Sequence, residues 1–179
     1  SSQRVYAIWT RDIGRRTIDL RPYARHSDMS FLQHFLPGQP LEENGHVSAG
    51  LLASMRIEGE RSQVIAGLDV EWSDVYLEET QAGPATGSPF LVETRPAGKH
   101  YDYSVTGYAL APYLQAEIDV SERLALSAGL RGAWIHYDYD NRMIDGNTRD
   151  DGTACGFGGC LYTRPADRSD DFSNLAPKL

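Results

Sequence analysis

The chain has 179 residues and a formal net charge of −8, with a sequence pI near 5.0. This acidic balance argues against a nucleic-acid-binding surface, which needs clustered Lys and Arg side chains to neutralise phosphates. The mean hydropathy of −0.44 is typical of a soluble protein, and the sequence has no apolar run long enough for a transmembrane helix. These values do not bear on membrane-spanning strands, because only every second residue of such a strand faces lipid.

The first part of the chain shows two β segments joined by a short polar turn. Residues 5–9 have a short β pattern, and residues 11–16 form the turn. From Thr17 onward apolar and polar side chains alternate, as they do in a strand. Pro22 interrupts this second segment and predicts an edge or a bulge, because proline removes a hydrogen-bond donor from the ladder.

The middle of the chain alternates between loops and strand patterns. Residues 36–45 hold two Pro and two Gly and predict a loop. Apolar and polar residues then alternate over 47–57, and a short turn follows at 58–61. Residues 64–72 show the cleanest alternation, with one apolar face and one charged face. Residues 80–100 predict another loop, since they hold three Pro and three Gly.

The last part repeats this order of strand, short turn, strand and long loop. Residues 108–118 alternate, residues 119–123 form a tight polar turn, and the next strand covers 124–141. A loop over 142–172 then precedes a further β segment that begins at Ser173. No helix of ordinary length is predicted anywhere in the chain.

The connections between these segments alternate strictly between short and long. This order predicts an all-β, antiparallel up-and-down meander of about seven strand segments, with all short turns at one end and all long loops at the other. Barrels of the bacterial outer membrane have this arrangement, with short periplasmic turns, long extracellular loops and outward apolar side chains. The strands of a soluble β-sandwich also alternate between apolar and polar residues, but a sandwich has no reason to place all its short turns at one end and all its long loops at the other. We therefore interpret the sheet as part of a transmembrane β-barrel.

The strand at 124–141 illustrates how its two faces are assigned. One face is assigned to lipid and carries Leu124, Leu126, Ala128 and Leu130. Arg131 falls on the other face and is assigned to the lumen, because charge is costly on the lipid side. Trp134 and Tyr137 lie toward the long-loop end and are assigned to an outer aromatic girdle.

Three stretches resemble the barrel of TonB-dependent outer-membrane receptors. The first is LAPYLQAEIDVSERLALSAGLRGAWIHYDYDN at 110–141, in which an acidic strand end meets a tight turn and a Gly-Leu-Arg strand. The others are VIAGLDVEWSDVY at 64–76 and DFSNLAPKL at 171–179. The resemblance implies a barrel of about 22 strands that is closed by an N-terminal plug. With about seven strand segments and no plug-like region, residues 1–179 are expected to be a fragment of the barrel domain.

The resemblance also implies a function, which is active transport of a scarce nutrient, most simply a ferric siderophore, across the bacterial outer membrane. The expected partners are that siderophore or a similar small ligand, the TonB complex through the absent plug domain, and outer-membrane lipid. No nucleic acid, cofactor or enzymatic activity is expected. Predicted ligand contacts near the long-loop end are His34, Trp72, Tyr76, Tyr103 and Arg142. The alternatives are a small self-contained outer-membrane barrel or adhesin with a structural or binding role and, after it, a soluble β-sandwich.

The two cysteines and one pair of carboxylates are the remaining candidates for chemistry. Cys155 and Cys160 lie in the last long loop as CGFGGC, most simply as a loop-stapling disulfide in an oxidising compartment. A metal site would need more ligands nearby, and none is obvious, so no metal is predicted. Asp69 and Glu71 share one strand face, as paired glycosidase carboxylates would, but polar residues facing a lumen are the simpler interpretation. No catalytic motif or catalytic residue is predicted.

Overall fold

The computed structural model describes residues 1–178, which form one antiparallel β-sheet with a short helix in a connecting loop. The elements are β1 (Ser2–Tyr6), β2 (Trp9–Ile13), β3 (Arg16–Leu32), β4 (Leu41–Glu58), β5 (Ser62–Gln81), α1 (Pro89–Thr94), β6 (Gly98–Ser121), β7 (Leu124–Asn141) and β8 (Arg168–Lys178). The sheet order is β1-β3-β4-β5-β6-β7-β8, with β2 also paired to β3. The predicted all-β antiparallel meander is therefore confirmed. Residues 1–178 contain no helix with the length and hydropathy of a membrane span.

β1 and β2 form one hairpin arm that is interrupted opposite Pro22. Both strands pair with β3 in a single unbroken register. The backbone N–H of Ala7 donates to the carbonyl oxygen of Pro22 at 3.1 Å, but Pro22 has no N–H to donate in return. The predicted edge or bulge at Pro22 is wrong, because β3 pairs on both sides and its register with β4 runs unbroken through Pro22. The missing donor interrupts the neighbouring arm instead, and the eight strands make seven hairpin arms.

The connections are sorted by end, as the sequence predicts. Tight turns of two or three residues join β2 to β3, β4 to β5 and β6 to β7. Gly14 in the first turn has φ +62°, the left-handed conformation that a two-residue hairpin turn favours. The long connections cover residues 33–40, 82–97 and 142–167 and all lie at the opposite end of the sheet.

The strands extend into regions predicted as the loops 36–45, 80–100 and 142–172, so those loop boundaries are wrong. The observed strand ends are Leu41 for β4, Gln81 for β5, Gly98 for β6 and Arg168 for β8. In these extensions polar side chains occur on both faces, so the apolar–polar alternation disappears. The backbone hydrogen bonds of the ladder do not depend on that alternation and continue without it.

The sheet has one apolar face and one polar face. Centred on β4 to β7, the apolar face includes Leu51, Ala53, Met55, Val64, Ala66, Leu68, Val70, Leu110, Leu114, Ala116, Leu126, Ala128, Leu130 and Trp134. Leu114 and Leu126 are 53% and 57% exposed, because each described strand contacts only its sheet neighbours and no second layer covers this face within residues 1–178. Arg131 lies on the other face, as predicted.

The sheet is open, with β1 and β2 at one edge and β8 at the other. Because neighbouring arms alternate in direction, the two edges of a seven-arm sheet run the same way. Direct pairing between them would be parallel, whereas outer-membrane barrels are antiparallel. An antiparallel barrel would need an odd number of further strands between these edges, and barrel closure stays a prediction.

Tyrosine rings cover glycines on neighbouring strands. The pairs are Tyr23 over Gly50, Tyr76 over Gly45, Tyr113 over Gly67 and Tyr137 over Gly107. Each ring fills the space that the missing side chain leaves, which stabilises a glycine in a strand interior. Three of the four pairs lie on the polar face. These tyrosines pack within the sheet and stabilise it.

Tyr137 and Trp134 do not belong to one outer girdle. Trp134 pairs with Leu110 on the apolar face, whereas Tyr137 pairs with Gly107 on the polar face. The prediction for Tyr137 is wrong because side chains an odd number of residues apart on a regular strand point to opposite faces. The three tryptophans of the chain do share the apolar face.

Replacing Gly67 with alanine is expected to destabilise the sheet by about 1–3 kcal/mol, because the new Cβ would lie 2.1 Å from the ring of Tyr113. The ring would have to leave its place beside Arg131. Gly129→Ala is the matched control, since its nearest neighbour lies 3.4 Å away, and an effect within about 0.5 kcal/mol is expected. Chemical unfolding measures both variants, and equal losses would contradict the packing role of Tyr113.

Candidate ligand-facing surface and loop cap

The polar face of the sheet carries charged side chains that pair with one another. Glu71 on β5 accepts hydrogen bonds from the hydroxyl of Tyr23 and the guanidinium of Arg25, both on β3. Arg25 also donates through Nε to Oγ of the buried Ser48 at 3.0 Å. These contacts join β3, β4 and β5 through side chains as well as through the backbone ladder.

A second charged group lies nearer the short-turn end of this face. Nη2 of Arg131 donates to Oδ2 of Asp69 at 2.7 Å, and the guanidinium lies 5.6 Å from the ring centre of Tyr113. Asp69 and Glu71 face the same side, as predicted, and each carboxylate engages an arginine. A surface of paired opposite charges suits contact with water or with a polar partner.

Residues 82–97 and 142–167 contact one another beside the ends of β5 and β6, and we name them together the loop cap. Arg164 lies at the centre of the loop cap and is only 1% exposed. Its guanidinium donates to the backbone carbonyls of Ile144 at 2.6 Å, Thr148 at 2.8 Å, Arg149 at 3.1 Å and His100 at 3.2 Å. One side chain therefore fixes the last long loop to the start of β6.

His100 is fully buried at the irregular pairing between β5 and β6. Its Nδ1 lies 3.0 Å from Oε1 of Glu79, and its Nε2 lies 2.9 Å from the carbonyl oxygen of Pro96. Arg95 approaches the same Glu79 oxygen, with its Nη2 at 3.7 Å. Tyr162 stacks on the imidazole with ring centres 4.2 Å apart, and burial raises the pKa of this tyrosine.

Cys155 and Cys160 form a disulfide, so the predicted loop staple is confirmed. Both cysteines are buried and pack with Tyr162. The chain between them presents Phe157, which is 67% exposed, with φ +56°. Its ring lies edge-on to that of Phe90 in α1, with ring centres 5.4 Å apart. The staple thus supports an exposed aromatic tip on the loop cap.

Replacing both cysteines with serine is expected to destabilise the loop cap by about 2 kcal/mol, because opening the small ring returns chain entropy to the unfolded loop. The sheet should keep its stability, since the disulfide packs within the loop cap and against Tyr101. Hydrogen exchange of residues 142–164, compared with amides of β5, measures this difference. Faster exchange across the whole sheet, or reactive thiols in the unreduced native protein, would contradict it.

Three of the five predicted ligand contacts lie away from the polar face. His34 is exposed in the first long loop, with its ring edge-on to that of Phe35. Trp72 lies on the apolar face of β5, where it pairs with Ala49 and is 39% exposed. Tyr76 lies four residues further along the same side of β5, between the apolar residues and the long-loop end of the strand. These three side chains do not converge on one point.

Tyr103 is the member of the predicted set that lies on the polar face. Its ring lies 5.1 Å from that of Tyr139, and burial raises the pKa of Tyr103. Arg142 follows β7, where its Nη1 lies 3.7 Å from Asp102 and its Nε 3.9 Å from Asp140. The predicted contacts are therefore spread over the long-loop end, and their ligand-binding role stays a prediction.

Sequence reasoning missed the buried polar centre of the loop cap. Glu79, His100 and Arg164 lie in stretches rich in Pro and Gly, where polar residues usually indicate solvated loops. One feature of the sequence could have pointed to the arginines of the loop cap, because the tetrapeptide Thr-Arg-Pro-Ala occurs at both 94–97 and 163–166. The arginines of both copies are largely buried in the loop cap.

Within residues 1–178, no group of three or more His, Cys, Asp and Glu side chains is arranged to hold a metal ion. No protein-family model matches this chain, and no curated protein matches it.

Proposed function

We propose that this chain is part of the barrel of a TonB-dependent receptor in the bacterial outer membrane, and that it acts in active uptake of a scarce nutrient, most simply a ferric siderophore. The observation that carries the proposal is a meander with tight turns at one end, long loops at the other and an uncovered apolar face. A transmembrane strand needs about 9–11 residues, and the alternating stretch at 64–72 of β5 has this length.

The composition of the apolar face along the strands supports contact with outer-membrane lipid. Trp72 and Trp134 lie toward its long-loop border, where amphipathic rings suit the membrane–water interface. Beyond them the same side becomes acidic, with Asp74, Glu78, Asp102, Asp138 and Asp140. In this orientation the strands leave the hydrocarbon at the tryptophans and continue into water.

The paired charges of the polar face support the assignment of this face to the barrel lumen, on the side of the sheet opposite the lipid. A ligand would meet this face at its long-loop end, where Tyr103 lies on the face itself and His34 and Arg142 lie at the ends of strands. Trp72 and Tyr76 lie on the lipid side of β5 in this orientation, so we rank Tyr103 first among the predicted contacts. The TonB complex would act through a plug domain outside these residues.

Each alternative function requires something in addition to the described sheet. A soluble sandwich would need a second layer on the apolar face, and the described residues supply none. A small self-contained barrel would need one further strand, or another odd number of them, between the two edges, because the arm of β1 and β2 runs in the same direction as β8.

Fluorescence quenching by brominated lipid tests the membrane orientation. Leu68 and Leu52 lie on opposite faces with nearly equal exposure, 40% and 41%, so Leu68→Trp and Leu52→Trp form a matched pair in a tryptophan-free background. In the full-length protein in brominated phosphatidylcholine vesicles, strong quenching is expected for the tryptophan at 68. The tryptophan at 52 should respond to aqueous acrylamide instead. Equal responses at the two positions would contradict the orientation.

Uptake of radioactive iron tests the transport function separately. A strain that lacks the gene is expected to lose uptake of one member of a panel of ferric hydroxamate and ferric catecholate siderophores. The gene should restore that uptake only when the TonB complex is present, and Tyr103→Ala should lower it. Correct membrane orientation without uptake of any ferric siderophore would leave the structural or adhesive role as the better proposal.

A further inference from the structure

Two phenylalanine rings, Phe90 in α1 and Phe157 in the stapled loop, lie together on the surface of the loop cap, and we name them the aromatic corner. Their ring centres are 5.4 Å apart and their planes meet at 66°. Phe157 is 67% exposed and Phe90 is 43% exposed, so ring faces are open to a partner. Because apolar surface is more stable when it is removed from water, contact with a partner at this corner is favourable.

The backbone holds Phe157 in a conformation that aromatic residues rarely adopt. Its φ of +56° lies in the left-handed region, which costs a residue with a side chain about 1 kcal/mol or more. Close glycine contacts fix the loop around it: a Cβ on Gly156 would lie 2.8 Å from Cβ of Glu93, and a Cβ on Gly159 would clash with the amide of Asn147. Strained backbone of this kind is concentrated at binding sites, and a rigid display reduces the entropy lost on binding.

A carboxylate lies beside the aromatic corner. Glu93 follows Phe90 by three residues in α1, so their side chains are neighbours on the helix surface. Oε2 of Glu93 also lies 3.2 Å from the position that a Cβ on Gly156 would occupy, directly before Phe157. In the part of the chain that the structure describes, Glu93 forms no ion pair, and the nearby Arg95 approaches a different carboxylate. The corner therefore combines open aromatic faces with an exposed negative charge.

The exposed charge of the loop cap is mostly negative. Of its four arginines, only Arg142 is exposed, whereas Arg164 is buried and the side chain of Arg95 is 13% exposed. Its acidic residues, by contrast, all lie on the surface. These exposed residues are Glu93, Asp145, Asp150, Asp151 and Asp167. A surface of this sign attracts a positively charged partner and repels a negatively charged one.

We propose that the aromatic corner and Glu93 form a docking point for a basic polypeptide segment, which binds there through an arginine side chain. A planar guanidinium stacks on an aromatic face and donates hydrogen bonds to a carboxylate, and this site offers both. Sites for free small molecules are concave and bury most of the ligand, whereas this corner is open, so it suits a side chain carried by a larger partner. The docking point belongs to the loop cap and does not depend on transport.

Proton NMR of the Phe90 and Phe157 rings tests the docking point in the unmodified full-length protein, held in a zwitterionic detergent. The probe is a short peptide of glycine and serine with blocked ends and one central arginine. The matched probe carries citrulline, which keeps the shape of arginine without its charge. The arginine peptide is expected to shift both rings saturably and to bind about threefold or more tightly than the citrulline peptide. Equal binding of the two peptides, or no saturable shift of the rings, would overturn the proposal.

Two pairs of variants, all at exposed side chains, separate this site from general apolar or charge effects. Phe157→Leu keeps an apolar side chain but removes the ring, and it should weaken binding of the arginine peptide about threefold. Phe35→Leu is its control, because Phe35 is 66% exposed in the first long loop. Glu93→Gln should weaken binding about twofold or more, whereas Glu60→Gln makes the same charge change in the turn between β4 and β5 and should not. Unchanged binding in Phe157→Leu or Glu93→Gln, or an equal loss in either control, would overturn the assignment.

Discussion

An arginine in place of Leu68 is expected to lower the free energy of unfolding in lipid vesicles by about 2–4 kcal/mol, because its guanidinium would have to lie in hydrocarbon. Leu68 lies in the middle of the apolar face, between Ala53 on β4 and Pro112 on β6. Neither neighbour offers a carboxylate or a hydrogen-bond acceptor side chain. Urea unfolding of the full-length protein in vesicles measures the loss.

Leu52→Arg is the matched control, because Leu52 has 41% exposure and Leu68 has 40%. Leu52 lies on the polar face, where it pairs with Asp69 and with Arg21. The new guanidinium can approach Asp69, and a change within about 1 kcal/mol is expected. Equal losses for the two variants would show that the faces do not differ in environment, and the assignment of lipid to the apolar face would then fail.

The central part of the sheet could be predicted from sequence because strand geometry fixes which side each residue faces. Leu68 and Asp69 are neighbours in the chain, so they must lie on opposite faces wherever β5 is regular. The tight turns bring consecutive strands together and make the meander the simplest arrangement. The strand ends could not be predicted, because β5 is polar on both sides from Glu78 to Gln81. No pattern marks where such a strand stops.

The loop cap could not be predicted because its burial depends on contacts between distant segments. Arg164 and the carbonyl oxygen of His100 are 64 residues apart in the chain. Polar residues in loops rich in Pro and Gly are usually solvated, and only the tertiary contacts bury these ones. The ligand contacts were predicted from residue type and closeness to the long loops alone, without regard to the face of the sheet on which each side chain lies. Trp72 and Glu71 are adjacent on β5, so they cannot both face a lumen.

Replacing Arg164 with alanine is expected to open the loop cap while the sheet stays folded. Four backbone carbonyls, those of His100, Ile144, Thr148 and Arg149, would lose a donor inside a site where the arginine is 1% exposed. The carbonyl of Arg149 keeps the hydrogen bond from the N–H of Gly152. Each buried acceptor left without a partner costs about 1–3 kcal/mol, and water that enters the opened site limits the total, so the closed loop cap should lose about 3 kcal/mol or more. Lysine should not rescue this variant, because a single ammonium nitrogen cannot reach all four oxygens.

Arg142→Ala is the control, because this arginine side chain is 49% exposed and its ion-pair distances are 3.7 and 3.9 Å. Exposed pairs of this kind contribute less than about 1 kcal/mol, so exchange in the loop cap should stay close to that of the unmodified protein. Hydrogen exchange of residues 142–164 and of β5 separates opening of the loop cap from unfolding of the sheet. If the loop cap of Arg164→Ala stays protected, or if the sheet unfolds together with it, Arg164 is not an anchor specific to the loop cap.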